Sequence, residues 1–413
     1  MAAPASTSPT SARPVAAVTG ALLAMYATSP GQTYVVSSFN DSLTSPEGLG
    51  LAATELSGSY LVGTLLSAAC LTQAGKVADR IGPRRMIAVA GVGLAAAGAL
   101  FSSVSSVVTL TIAFFGLRFF GQGVMSLASS HALALRFEAR LGSVEGLRGA
   151  IVSVAIATAP IIAVWTIGAA GWRSAAWMLT LGAGALATFA ALVIMDADPP
   201  PEPPRSAPPD GQRPAHAPGS YTLAEARRTA AFWILLGSTA FTAGLITAVH
   251  FHLQPLLRES GLDPEQAART FVPFAACGLA ATLVGGVMVD RFPAPPLLAA
   301  AMAAIGAGAA VMGAVDAAWA GMAGMAVIGL GHGLGGAVGA PTLARYFGRA
   351  HHGAIRGLAG TAAVAGSAAG PYALSAAAAA TGGFGPGVLA LSALAVPTVI
   401  AALALRRPTR GAR

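Results

Sequence analysis

The sequence predicts an all-α membrane protein with twelve transmembrane helices in two parallel six-helix halves. Three observations carry that expectation. Of 413 residues, 55% are hydrophobic and only 10% are charged, against about 25% charged in an ordinary soluble domain; mean hydropathy is +0.68. The apolar residues arrive in long blocks rather than in short alternating patterns. Landmarks of the first half also return in the second at nearly constant offset.

A helix needs about 20 apolar residues to cross a bilayer core. Twelve blocks meet this, at roughly 15–38, 51–74, 86–104, 107–133, 147–169 and 174–195, then 230–254, 268–289, 295–315, 318–343, 354–380 and 385–405. The first is too long for a signal peptide and lacks its basic start, so it is read as a retained span. Residues 1–14 are read as a disordered N-terminus. Between blocks six and seven, nine of the 27 prolines fall between Pro199 and Pro218. Residues 196–229 are therefore read as an extended linker joining a first bundle (15–195) to a second (230–406), with a basic tail at 407–413.

Placement of the basic residues argues orientation. With the N-terminus inside, twenty of the 24 fall on the cytoplasmic side, clustered at Lys76–Arg85, Arg136–Arg148, Arg205–Arg228, Arg345–Arg356 and Arg406–Arg413. The net charge of +8 is thus a topology signal, and nucleic acid is not an expected partner. The lipid bilayer is. Arg118 alone lies within a span.

The halves repeat. Gly75-Lys-Val-Ala-Asp79-Arg80 after span two matches Gly286-Val-Met-Val-Asp290-Arg291 after span eight. Arg136 after span four is echoed by Arg345 after span ten, and Leu-Arg148-Gly149 by Ile-Arg356-Gly357. Parallel repeats about an axis along the membrane normal are one plan of secondary transporters, with the substrate site at the midplane between them.

The stretch Gly75-Lys76-Val77-Ala78-Asp79-Arg80-Ile81-Gly82-Pro83-Arg84-Arg85 resembles the loop 2–3 signature of the major facilitator superfamily. The degenerate copy at Asp290-Arg291 falls where that family places it, and the resemblance covers essentially the whole chain. It implies two six-helix bundles rocking around a central cavity. It also implies that Asp79, with Arg80, Arg84 and Arg85, latches the cytoplasmic side shut; Gly75 and Gly82 allow tight turns and close helix approach.

Arg118 sits about 11 residues into span four, near the midplane by the helical rise. A central arginine costs about 2.5–3.5 kcal/mol on insertion scales, so it should face the bundle interior. Arg118-Phe-Phe-Gly121-Gln122-Gly123 resembles the arginine–glycine signature of span four in the same family, which implies contact with substrate or a part in proton coupling. No Asp or Glu lies deep in any span, so an anionic substrate is expected to neutralise Arg118. Gln122, Gln32, Tyr34 and Tyr26 are the expected hydrogen-bonding neighbours, and Pro30-Gly31 is expected to break span one.

His250 and His252, closing span seven, and His332 in span ten are the candidates for carrying a proton; His332 is also a substrate-site candidate. The ending of span seven resembles the monocarboxylate and oxalate/formate-type branch of the family. Spans eight and eleven carry no mid-depth basic residue, which argues against a dicarboxylate clamp.

Several features are discounted. Cys70 and Cys277 have no metal-ligand spacing, the glycine runs at Gly91 and Gly331 lie inside spans, and no phosphate-binding loop is present. No cofactor, metal or catalytic residue is expected, and the chain is read as a monomer. The expected function is secondary active transport of a small organic anion such as a monocarboxylate, by proton symport or exchange. A drug or metabolite efflux antiporter is the first rival, and a non-transporting sensor or scaffold the second.

Overall fold

The computed structural model describes residues 12–137, 141–195, 220–348 and 351–408. Twelve crossings follow in order: α1 (Ala12–Ala27), α2 (Ala53–Ile81), α3 (Pro83–Ser102), α4 (Val107–Ala134), α5 (Leu141–Ala170) and α6 (Trp172–Ile194) form the first half. The second half holds α7 (Ala230–Phe251), α8 (Pro264–Arg291), α9 (Ala294–Gly313), α10 (Ala318–Phe347), α11 (His352–Thr381) and α12 (Phe384–Leu403). Among the described residues ten of these are long and apolar enough to cross a membrane unaided. The other two are α1, which is short and continues through turns, and α11, whose Gly, Ser, Thr and Pro residues lower its hydropathy.

Each half packs through the same helix pairs. In the first, α2 meets α4 and α3 meets α6; in the second, α8 meets α10 and α9 meets α12. Small residues set the spacing, as expected where lipid supplies no hydrophobic drive between helices. The glycine runs discounted above serve this purpose: a Cβ on Gly91 would stand 2.6 Å from the Gly184 carbonyl oxygen, and one on Gly333 would stand 2.0 Å from that of Gly278.

The linker expected at 196–229 is described only in part. Its residues 196–219 lie outside the described residues, as do 1–11 and 409–413. Residues 220–229, however, are folded onto the second half. Thr222 caps a short helix, Leu223–Ala226. The Tyr221 amide donates to the Phe347 carbonyl (2.8 Å), its hydroxyl donates to the Pro408 carbonyl (3.0 Å), and its ring packs edge-on to Phe347. Burying an aromatic ring with its polar tip satisfied outweighs the entropy that a tether keeps.

The halves touch at one end and part at the other. At the face opposite the arginine-rich loops, Ser57 donates to Ser375 (2.9 Å) and Ser375 donates to the Ala53 carbonyl (3.1 Å). Asn40 donates to the Phe251 carbonyl, and Arg258 pairs with Asp41. The rings of Tyr60 and Phe251 meet at 4.6 Å. Towards the arginine-rich face a cavity of 1590 Å³ opens between the halves, reaching from Arg118 and His332 to Arg148 and Arg356 at its mouth.

The glycine packing is directly testable. Overpacking a tight helix crossing typically costs 1–3 kcal/mol, whereas Ala replacing a helical Gly in open space is neutral or slightly stabilising. Gly333→Ala is expected to lower the Tm of the purified protein in detergent, while Gly286→Ala, whose Cβ meets nothing within 4 Å, leaves it unchanged or raises it.

Candidate functional site: a buried arginine at the base of the cavity

The site begins with the interruption of the first crossing. After Ala27 the chain makes a 3₁₀ turn at Ser29–Gly31, and Gln32 is extended before helix resumes at Thr33–Val36. Pro30 cannot continue an α-helix without losing a hydrogen bond. The amides of Val35 and Val36 both donate to the Gln32 carbonyl, so the Gly31 carbonyl is not taken up by a helical bond. At membrane depth such a group must find a partner inside the protein. Arg118 supplies it, its Nη1 donating to the Gly31 carbonyl at 3.2 Å and to the Thr33 hydroxyl at 3.4 Å.

Two glycines make that reach possible. A Cβ on Gly31 would lie 2.3 Å from the Leu117 carbonyl oxygen and 2.9 Å from the Gly121 Cα. Any larger residue at Gly31 or Gly121 would push α1 off α4 and draw the carbonyl away from the guanidinium. Around this contact α4 widens into a π-helical segment, Leu117–Met125. Such segments are rare and are frequent at functional sites. No periodicity in the apolar sequence announces it.

Arg118 is only 3% exposed, and its Cζ lies 5.1 Å from the centre of the Tyr60 ring. The ring face is attractive to a cation, and the Tyr60 hydroxyl is held at 2.6 Å by Thr33. Among the described residues no carboxylate pairs with the guanidinium, and its Nε is buried with no hydrogen-bond partner. A second orphan lies on the same wall: Thr64, 3% exposed, has its hydroxyl buried without a partner. Both residues line the cavity, as do Gln32, Gln122 and His332. Thr64 escapes a sequence reading because one threonine on an apolar helix carries no signal; it lies one helical turn beyond Tyr60.

The other sequence candidates fall elsewhere. The Tyr26 hydroxyl is bonded to Thr158 of α5 at 3.0 Å, and Tyr34 is buried with its ring edge-on to Phe271. Neither is among the residues lining the cavity. Residues flanking a helix break rotate away from the face they would share in a continuous helix, which is why the expectation misplaced Tyr34. His252 accompanies the closed end: its Nε2 lies 3.0 Å from both the Pro371 carbonyl and the Ser375 hydroxyl, and its ring stacks on Phe384. His250 is buried against Phe271 and Phe274, and its Nε2 has no partner. Phe274 also stacks with His332, so it lies in ring contact with both histidines.

The residues expected to form the gate divide by half. In the second, Asp290 pairs with Arg345 at 2.5 Å, and Arg345 also donates to the Val289 carbonyl; Arg291 is exposed. In the first half, Asp79, Arg80 and Arg85 are exposed. Arg84 is bonded at 2.7 Å to the Ala191 and Leu192 carbonyls, satisfying the C-terminal end of α6 as cations do. Gly82 turns the chain from α2 into α3 with φ +84°, a conformation favouring glycine, and Gly75 lines the cavity.

Comparison with known proteins follows this geometry. The sequence profile described as Major Facilitator Superfamily matches residues 15–371. A search of curated protein sequences finds no match. Among solved structures, a bacterial homologue of the human lysosomal transporter Spinster, inward-facing and unoccupied, superposes with TM-score 0.72 at 15% identity, covering 96% of this chain and 97% of that one. The same homologue in an occupied, inward-facing state gives 0.65 at 15% identity, over 93% of each chain. The nucleoside transporter NupG gives 0.69 at 9% identity, over 94% of this chain and 98% of its own. At such identities the likeness concerns the fold alone. The profile match, spanning most of the chain, makes this protein a member of the Major Facilitator Superfamily, a multi-pass membrane transporter and not an enzyme.

Proposed function

We propose that this protein is a secondary active transporter of an organic anion with a carboxylate-like head, working by alternating access. The observation that carries the reading is the pair of orphaned donors on one cavity wall, Arg118 Nε and the Thr64 hydroxyl. A buried donor without an acceptor costs about 1–3 kcal/mol, and a carboxylate placed between these two groups would relieve both, one of them through a stronger charge-assisted bond. Gln32 and Gln122 stand on the same cavity lining to orient the head. Among the described residues the lining holds no Asp or Glu; of its arginines, Arg148 is paired with Glu145 at 2.6 Å, and Arg118 and Arg356 have no such pair. Their positive charge draws an anion inward.

In this reading the arginine-rich face is cytoplasmic, in a bacterial inner membrane with both termini inside. The described conformation is then open to the cytoplasm and closed to the exterior by the Ser57–Ser375, Asn40–Phe251 and Asp41–Arg258 contacts. Rocking the halves would exchange those contacts for others at the cytoplasmic face, where the exposed Asp79 is free to meet the opposite half. His332 lines the cavity from the second half and is the proton carrier the geometry favours. His250 and His252 are withdrawn from the wall. The transporter acts as a monomer, because each chain brings both halves of the pathway.

Two measurements check this. Carboxylate ligands should raise the Tm of the purified protein, with a stabilisation that grows as the logarithm of one plus ligand concentration over Kd. Arg118→Gln should abolish that stabilisation, and Thr64→Val should weaken binding about tenfold, the effect of losing one hydrogen bond to an ionised group. Tyr26→Phe should bind as wild type does. Ligand stabilisation that survives Arg118→Gln unchanged removes the anion from this site.

Movement of the halves has its own check. With Cys70 and Cys277 replaced by alanine, Ser57→Cys with Ser375→Cys should cross-link under mild oxidation, since the two side chains already meet. Uptake into proteoliposomes should then stop and recover on reduction. Full transport by the cross-linked protein would exclude opening at that end.

A further inference from the structure

We infer that the cargo is an amphiphile, with its anionic head on the first half and an apolar body lying against the second. This rests on the anion reading above and adds to it the nature of the rest of the molecule. The two walls of the cavity differ in what they offer. On the first half, Arg118 and Thr64 line the cavity beside Gln32 and Gln122, and each carries a buried donor with no partner in the protein.

The second half also contributes hydroxyls; its cavity-lining threonines are bonded within the protein, while Ser238 lines the cavity beside them. Thr239 donates to the Leu235 carbonyl (2.8 Å), Thr361 to that of Gly357 (3.1 Å), and Thr247 to the Ser367 hydroxyl (3.0 Å). Thr242 contacts the Met302 sulfur at 3.6 Å. With the threonines turned to their own partners, the apolar part of the second-half lining is made of Ile246, Leu298, Met302, Ala363 and Val364, with Ser238 and Ser367 as its serines. His332 and, at the mouth, Arg356 are its long polar side chains. Towards the mouth the first half adds Leu65, Leu71 and Leu127 among its serines and threonines.

Size points the same way. Pockets that enclose drug-sized ligands run to roughly 300–1,000 Å³, and this cavity, open at its mouth, measures 1590 Å³. A two- or three-carbon acid seated at Arg118 would touch one wall and leave the other wet. A ligand shifts a conformational equilibrium only by interacting differently with its two states, so cargo that drives rocking must engage both halves. An alkyl or alicyclic body of six or more carbons reaches across.

The test uses the purified full-length chain in lipid nanodiscs and a competition binding series of acetate, butanoate, hexanoate and octanoate, with octanamide as the neutral partner. Affinity should rise roughly threefold to fourfold for each added methylene, and octanamide should bind far more weakly than octanoate. In the near-isosteric double variant Ile246→Thr with Val364→Thr the chain-length dependence should flatten while acetate affinity stays at the wild-type value, which also shows that the variant is folded. Equal affinity along the wild-type acid series, with the acid still preferred over the amide, would overturn the amphiphile and leave the anion site standing. A chain-length slope undiminished in the double variant reports partition into lipid and overturns it equally. Octanamide matching octanoate would overturn the anion reading itself.

Discussion

A guanidinium placed near the middle of a membrane-spanning bundle must be stabilised by whatever polar groups the fold can bring to it, and here no acid is among them. Arg118 is instead held by one carbonyl, one hydroxyl and one aromatic face, at Gly31, Thr33 and Tyr60. Each demands something of its surroundings. The carbonyl is available because Pro30 interrupts the first crossing. It is within reach because two glycines let α1 and α4 touch backbone to backbone. The Thr33 hydroxyl is shared with Tyr60, which orients the ring beneath the cation. The support is enough to hold the charge and not enough to satisfy it, since Nε remains without an acceptor. A fully paired arginine would have little to gain from a ligand.

The contacts inside each half and those between the halves differ in kind. Within a half, helices meet at glycines whose neighbours stand closer than a Cβ permits, so these crossings resist sliding. Between the halves, α2 packs along α11 and α5 along α8, and the polar bonds and rings described above join them at the closed end. Rigid halves move as bodies, which is what a cavity that opens alternately to two sides requires. The repeat supplies an asymmetry as well. Asp290 is paired with Arg345 inside its own half, while the equivalent Asp79 is exposed and makes no such pair.

Much of the fold was readable from hydropathy and spacing, because the bilayer imposes a length on every crossing and the loops carry the sign of the charge. The loop at Gly75–Arg85 and its copy at Asp290-Arg291 identified the family before any coordinate did. The site was readable in part. Arg118 stood out because a charge in an apolar block has few explanations, and Gln32, Gln122 and His332 do line the cavity with it. Tyr26, Tyr34, His250 and His252 do not. Polar residues in a helical span point to every side, and sequence alone does not say which side becomes a wall. Thr64 was invisible for the complementary reason: a threonine on a lipid-compatible helix is unremarkable until its hydroxyl is found without a partner.

The sequence by itself determined the number of crossings, the two-fold internal repeat, the break at Pro30-Gly31 and the presence of one unneutralised buried cation. These follow from local quantities: transfer energy, backbone dihedral limits and charge. The tertiary structure alone decided what the break exposes, where α4 widens and which end is closed. Those depend on which residues meet across 85 or more positions of chain, as Gly31 meets Arg118 and Ser57 meets Ser375. Such meetings are set by the packing of whole helices, and no stretch of sequence encodes them on its own.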